Sequence, residues 1–243
     1  MNDIDILKSV YKGNELDEAI EKYNSGIPAA YIIGEWEFCG DKYIINDSCL
    51  IPRCDTERVV EKVLDNLNDG QTLADICTGT GCIAISCLKR KKLSKGLAVD
   101  ISSDAVEVAK KNAELNGVAN RLEIICADAF KNPLENKTFD IIVSNPPYIP
   151  TKDLTSLDVY VKKEPIIALD GGQDGMLFYR HIITNYGKNL KENGKFIFEI
   201  GYDQEDLIKT LSKEHGYSCS VTKDYSGNPR VAFISKNKIS EDL

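Results

Sequence analysis

A chain of 243 residues with 42% hydrophobic content can bury a full core, as one large domain or one domain with a small appendage. Thirty basic against thirty-eight acidic side chains leave a formal charge of −8, the wrong sign for a protein whose main partner is a bare phosphate backbone, so no direct nucleic-acid partner is expected. The opening MNDIDILKSV carries acids and no apolar run of signal length, and no stretch approaches the ~18 apolar residues of a membrane span, which predicts a cytoplasmic protein without a membrane partner.

In chain order, residues 1–26 hold one or two short helices. The segment YIIGEWEFCGDKYIIND (31–47) reads as two aromatic-rich strands around a Gly-Asp turn. DTERVVEKVLDNLNDG (55–70) has an Asp or Thr cap, apolar Val59, Val60, Val63, Leu64 and Leu67, and a glycine stop, so it is a helix leading into a first strand, TLADIC (72–77). From there short apolar runs alternate with helical patterns, the rhythm of a parallel sheet with covering helices. CIAISCLKR (82–90) is a helix, with Lys89 to Lys92 as a favourable charge set at its C-terminal turn. GLAVD (96–100) is a strand, and SSDAVEVAKKNAELNG (102–117) a helix with a Ser cap, Val106, Ala109 and Ala113 on one face, and Gly117 as its stop. LEIICAD (122–128) and FDIIVS (139–144) are strands, GMLFYRHIITNYGKNL (175–190) a helix, GKFIFEI (194–200) a strand and QEDLIKTLSKEHG (204–216) a helix. YSCSVTKD and RVAFIS close the chain as an antiparallel hairpin around YSGNP, and the last eight residues read as a frayed tail.

The eight cysteines, Cys39, Cys49, Cys54, Cys77, Cys82, Cys87, Cys126 and Cys219, include no CxxC pair and fall mostly within apolar runs, as small core residues in a reducing compartment do. The two histidines, His181 and His215, have no Cys or His at ligand spacing, and no metal site is predicted.

The first turn, DICTGTGCIA, places Gly79, Gly81 and Ala84 as G-x-G-x-x-A between a strand and a helix, with Asp100 nineteen residues beyond Gly81 at the end of the second strand. That fits a dinucleotide site. It equally fits a site for S-adenosylmethionine, whose ribose hydroxyls the acid would accept, and it fits a plain tight turn with Asp100 as a helix cap. Asp128, followed by Ala129 and Phe130, falls at the end of the third strand, where a second edge of an adenosine pocket would lie.

The fourth strand ends in Asn145-Pro146-Pro147-Tyr148. Two prolines remove two backbone donors and lock φ, so the strand must stop and the chain must keep one stiff, extended shape. Asn145 then offers a side-chain carbonyl and Pro146 a backbone carbonyl, two acceptors at a set separation for the two donors of a planar NH₂ group, and Tyr148 offers a ring to stack on it. Such a clamp aims an sp² nitrogen at an electrophile, work for which a hydride-transfer enzyme has no use.

With those motifs in place the chain resembles the PrmC/HemK family of class I, seven-stranded methyltransferases over about residues 28–235. IPRCDTE (51–57), DICTGTG (75–81), AVDIS (98–102), SNPPYI (144–149), EPIIALDGGQDG (164–175), EIGYDQ (199–204) and DYSGNPR (224–230) match in order. NPPY alone is shared with N-methyltransferases of DNA adenine and ribosomal RNA, and IPR-x-DTE with EP-x-x-AL-x-GG is far more specific. The resemblance implies an α/β, Rossmann-like fold with a shortened helical N-terminal region (1–27), a linking β-hairpin (28–52) and a methyltransferase domain (53–243). It implies methyl transfer from S-adenosyl-L-methionine, leaving S-adenosyl-L-homocysteine, to the glutamine side-chain amide of the GGQ motif in peptide chain release factors. The alternative is transfer to nucleic-acid amino groups. Carried over, Asp75 and Cys77, Thr78, Gly79, Thr80 and Gly81 hold the cofactor, with Asp100 on the ribose, Asp128 and Ala129 beside the adenine, and Asn145 near the reacting centre. Asn145, Pro146, Pro147 and Tyr148 hold the substrate, Asn145, Pro146 and Tyr148 as the catalytic set, and Arg53, Asp55 and Glu57 help form the floor. Three departures stand out: Cys77 replaces the loop's first glycine, which requires a negative φ there; Cys54 replaces a proline, loosening the entry to its helix; and the N-terminal helical region is about half the family's length or less. The chain's own GGQ, Gly171 to Gln173, lies within the family's EP-x-x-AL-x-GG-x-DG segment and reads as a loop rather than a modified site.

Overall fold

The computed structural model describes residues 2–237, so the expected tail lies largely outside the described residues. Helices α1 (Asp3–Val10), α2 (Asn14–Asn24) and α3 (Ala29–Ile33) pack on each other through buried Leu7, Ala19 and Ala29. Residues 31–33 are thus helical, and Gly34, at φ 77, turns the chain into the hairpin β1 (Glu35–Phe38) and β2 (Asp41–Ile44). The pairing Phe38 to Asp41 makes Cys39 and Gly40 the two central turn residues, at φ 51 and 74, instead of Gly-Asp. A two-residue turn that matches strand twist needs positive φ at both positions, and this outweighs the local preference of Cys39.

Helix α4 (Cys54–Leu64) starts one residue before the expected cap and stops well short of Gly70. Its N-cap, Arg53, makes no side-chain cap bond; Asp55 and Thr56 lie in the first turn, where Asp55 approaches Arg230 at 3.5 Å and Thr56 bonds Glu199. Tertiary partners have taken the side chains that local rules would make caps. The expected alternation then holds: β3 (Thr72–Ile76), α5 (Cys82–Arg90), β4 (Lys95–Asp100), α6 (Ser103–Leu115), β5 (Leu122–Cys126), β6 (Phe139–Ser144), α7 (Leu177–Tyr186), β7 (Leu190–Glu199), α8 (Glu205–Glu214), β8 (Tyr217–Lys223) and β9 (Pro229–Lys236). Ser102 caps α6 as expected, accepting from the Ala105 N–H at 3.2 Å.

The seven-stranded sheet runs β5-β4-β3-β6-β7-β9-β8, parallel as far as β7 and antiparallel at β9 and β8. Successive residues face opposite layers: Leu73, Ile141 and Val143 pack with Val59, Val63, Ile85 and Leu88 of α4 and α5, while Ala74, Ile76 and Ile142 pack with Tyr179, Ile182, Ile183 and Ile208 of α7 and α8. Among the described residues no helix is long and apolar enough to cross a membrane.

The hairpin is fastened to the sheet's helical layer by buried Asn112 of α6. Its Oδ1 accepts from Ile44 N–H at 2.6 Å, and its Nδ2 donates to Ile44 O and to Thr80 O, both at 3.0 Å. Asn112→Ala leaves these backbone groups without partners and is expected to lower unfolding free energy by about 1–3 kcal/mol. Urea unfolding monitored by far-UV circular dichroism checks this.

Candidate active site

The loops after β5, β4, β3 and β6 come together at the carboxyl edge of the sheet, the place where open α/β folds bind ligands. They enclose a cavity of about 330 Å³, within the ~300–1,000 Å³ typical of small-molecule sites. Of the residues singled out from the sequence, Cys77, Thr78, Gly79, Thr80, Asp100, Asp128, Ala129, Asn145 and Pro147 line it, whereas Asp75, Gly81, Pro146 and Tyr148 are not part of its lining. Among the described residues, Asp100 and Asp128 are the only charged side chains in the lining.

The loop 77–81 turns from β3 into α5 through positive φ at Cys77, Gly79 and Gly81. Cys77 stands at φ 60, against the negative value the sequence suggested. A left-handed non-glycine residue costs about 1–3 kcal/mol, and tertiary anchors hold it in place. Thr78 N–H donates to Val99 O at 3.0 Å, Gly79 N–H to Asp100 at 2.8 Å and the Thr78 hydroxyl to Asp75 at 2.7 Å. Gly81, at φ 79, holds a left-handed conformation that glycine adopts without strain.

Asp75 is fully buried beneath the loop, accepting from the Thr78 hydroxyl and the Ala84 N–H, with its other oxygen unpartnered. Burial pushes its carboxyl up to about 7, against those two hydrogen bonds. Asp100 accepts from Gly79 N–H and from Ser102 N–H at 3.0 Å; burial raises it above the ordinary carboxylate range despite these bonds. Asp128 accepts from the Phe130 N–H at 2.8 Å and starts a single 3₁₀ turn. The Tyr186 hydroxyl donates to Ala129 O, fixing that turn, and Phe130 and Phe178 form an aromatic wall, ring centroids 5.1 Å apart. The wall was not anticipated, because Phe178 comes from a helix nearly fifty residues downstream.

At the end of β6 the Asn145 amide nitrogen donates to Thr56 Oγ1 at 3.2 Å, and its Oδ1 is buried at the cavity with no partner. Thr56 in turn donates to the carboxylate of Glu199 at 2.6 Å, and Tyr148 donates its hydroxyl to the same carboxylate at 3.3 Å. The stiff segment is strapped from outside by residues 169–175. Ile149 N–H donates to Leu169 O, Gly171 N–H to Ile149 O, and Gln204 Nε2 to Tyr148 O. At Gly175 a Cβ would fall 2.3 Å from Tyr148 O, so the second half of the GGQDG run exists for backbone contact with the NPPY segment. The chain's GGQ is thus part of an irregular strap, with Gln173 exposed.

The floor differs from expectation. Pro52 and Thr56 face the cavity, while Arg53 pairs with buried Glu164, Asp55 approaches Arg230, and Glu57 accepts from the Cys39 N–H at 2.7 Å. Each of the three acts at one remove, Arg53 by holding Glu164, whose other oxygen accepts from Ile51 N–H at 3.0 Å. Thr56, read only as a possible helix cap, and Glu164, Glu199 and Arg230 had no role assigned at the site from the sequence, although each lies in a motif quoted above.

Comparison with known proteins adds to this geometry. Residues 56–163 match the family model described as methyltransferase small domain. The chain is 38% identical over 219 residues to a release factor glutamine methyltransferase of Aquifex aeolicus, covering 89% of this chain and 78% of that protein. It is 41% identical over 220 residues to one of Agrobacterium fabrum, covering 87% and 75%. In fold it is similar to a crystal structure of a methyltransferase from Pyrococcus furiosus, with a TM-score of 0.62 at 20% identity, covering 90% of this chain and 96% of that one.

Asp75 offers a test of the loop's electrostatics. Its folded pKa lies above that of an unfolded aspartate, so the folded chain holds the proton more tightly and this group's contribution to stability declines as pH rises from about 4 to about 7. Asp75→Asn keeps an acceptor for Thr78 and Ala84 and removes the titration. The stability of the wild type relative to this variant, from urea unfolding at pH 5 and pH 8, is expected to be lower at pH 8; an unchanged difference would contradict the assignment.

Proposed function

The chain belongs to the family of release factor glutamine methyltransferases, and from that premise we propose that it transfers a methyl group from S-adenosylmethionine to the side-chain amide nitrogen of the glutamine in the GGQ motif of peptide chain release factors. The observation that carries this reading is the buried, unpartnered Oδ1 of Asn145 at the cavity edge. A buried acceptor without a donor is costly unless something arrives to satisfy it. An amide NH₂ satisfies it with one hydrogen and offers the other to the Pro146 carbonyl.

The cavity suits the cofactor. Its lining is largely apolar, which accommodates an adenine and a methionine chain. We assign the backbone of residues 77–81 to the methionine portion, the Asp100 carboxylate to the ribose hydroxyls, and Asp128 and Ala129 to the adenine edge, with Phe130 and Phe178 against its faces. When bound, S-adenosylmethionine supplies an intrinsically strong methyl electrophile. An amide nitrogen is a weak nucleophile, because its lone pair is delocalised into the carbonyl. Asn145 Oδ1 and Pro146 O accept its two N–H bonds, push electron density back onto nitrogen and hold the lone pair on line, and water takes the proton released on transfer. Residues 53–243 carry this chemistry, and we assign grip on the release factor to the N-terminal helices (1–27) together with the hairpin region (28–52).

Incubation with methyl-labelled S-adenosylmethionine and a purified, folded release factor, followed by mass spectrometry of the GGQ peptide, tests the proposal: labelled glutamine supports it, and an unlabelled peptide from protein that binds the cofactor refutes the substrate. Asn145→Ala is expected to lower methyl transfer by about a hundredfold or more while leaving cofactor affinity by calorimetry within about threefold.

A further inference from the structure

An asparagine side chain presents oxygen and nitrogen in nearly the same space, and only one of its two orientations works in the clamp. With Oδ1 toward the cavity it accepts from a substrate amide. Rotated by half a turn it sets a donor against a donor, and the clamp opposes the substrate it is built to hold. The polarity of Asn145 therefore has to be imposed by its neighbours.

The neighbours form a directed chain. Glu199, at the end of β7, is 1% exposed, and Thr56, in the first turn of α4, is 2% exposed. In its ionised form Glu199 has no proton to give, so the Thr56 hydroxyl commits its only hydrogen to Glu199 Oε2, at 2.6 Å. Thr56 Oγ1 then shows only lone pairs to Asn145, and the group able to face it at 3.2 Å is the amide NH₂. Oδ1 is left pointing the other way, buried and unpartnered. Glu199 Oε1 meanwhile accepts from the Tyr148 hydroxyl at 3.3 Å, so the same carboxylate orients the ring at the other end of the NPPY segment. Burial, joined by the negative charge of Asp55, raises Glu199 above the ordinary carboxylate range against the Thr56 hydroxyl, the positive charge of Arg230 and the Tyr148 hydroxyl, and the ionised form is the one the relay uses.

We propose that Glu199, acting through the Thr56 hydroxyl, is the positioning residue that fixes which end of the Asn145 amide faces the substrate, and that through Tyr148 it holds the second wall of the same clamp. This rests on the amide-clamp reading of NPPY given above. Neither Glu199 nor Thr56 needs to touch the substrate for this role, and its signature is a loss of turnover without a loss of cofactor binding.

Three full-length variants test it. Thr56→Val keeps the shape and removes the hydroxyl, Thr56→Ser restores it, and Glu199→Gln supplies an NH₂ that donates to Thr56 and frees the hydroxyl to donate to Asn145, which favours the inverted amide. At saturating S-adenosylmethionine, Thr56→Val and Glu199→Gln are expected to lose about ten- to a hundredfold in kcat on a release factor, with the cofactor Kd within about twofold and Thr56→Ser near wild type. In parallel, hydrogen exchange of the Asn145 side-chain NH₂ in ¹⁵N-asparagine-labelled protein is expected to be slow in the wild type and Thr56→Ser and fast in Thr56→Val. Slow exchange with undiminished kcat in Thr56→Val would overturn the positioning role while leaving the methyltransferase reading intact. A wild type that binds the cofactor but does not label the release factor would refute that reading, and the exchange comparison alone would then decide whether Thr56 sets the amide: protection lost in Thr56→Val and kept in Thr56→Ser upholds the relay, and equal exchange in all three refutes it.

Discussion

A carboxylate buried at the end of β7 organises this molecule. Glu199 has left water almost completely, and a buried charge is tolerable only when polar partners surround it. The chain supplies them from separate elements: Thr56 from α4 and Tyr148 from the segment after β6 reach the side chain, while Tyr179 of α7 donates to its backbone carbonyl at 2.7 Å. Elements from both faces of the sheet are thereby drawn to one point at its carboxyl edge. Thr56 and Tyr148, which satisfy the Glu199 side chain, are also the groups assigned above to the proposed clamp, so the same hydrogen bonds would serve both the buried carboxyl and the amide.

Rigidity is added around that point in layers. Two prolines restrict the backbone of the NPPY segment, and the 169–175 strap bonds its far side, approaching so closely that Gly175 leaves no room for a Cβ. Arg53 and Glu164 tie the entry of α4 to the segment that precedes the strap, and hence place Thr56. At the turn after β3 the strained Cys77 is held by bonds from Thr78 and Gly79 to β4. On the proposed clamp mechanism, a site that works chiefly by positioning needs its geometry set before the ligands arrive, which is what these contacts would provide.

Much of the fold and part of the site were legible in the sequence, for identifiable reasons. The parallel strands and the helices α5 and α6 announce themselves through local periodicity and end signals such as Ser102 and Gly117, and the G-x-G turn, Asp100 and NPPY are contiguous motifs whose place at strand ends follows from topology. What stayed hidden depends on long-range partners. Thr56 and Glu199 are 143 residues apart, and nothing local marks them as a pair. Asp55 and Thr56 look like helix caps until Arg230 and Glu199 are seen to claim them. Cys77 looks like a residue that must avoid positive φ until the anchors that hold the loop are in view. A resemblance to a known family placed these residues in motifs without saying what each one touches.

The central claim is that the Asn145 amide is preset, oxygen toward the cavity, before substrate binds. The most direct measurement is a crystal structure of the protein with S-adenosylhomocysteine and a GGQ-bearing release factor fragment. The glutamine amide nitrogen is expected ~3 Å from both Asn145 Oδ1 and Pro146 O, with the Asn145–Thr56–Glu199 chain unchanged from the unliganded protein. A glutamine amide bound elsewhere, or an Asn145 side chain that rotates away from Thr56 on binding, would contradict it.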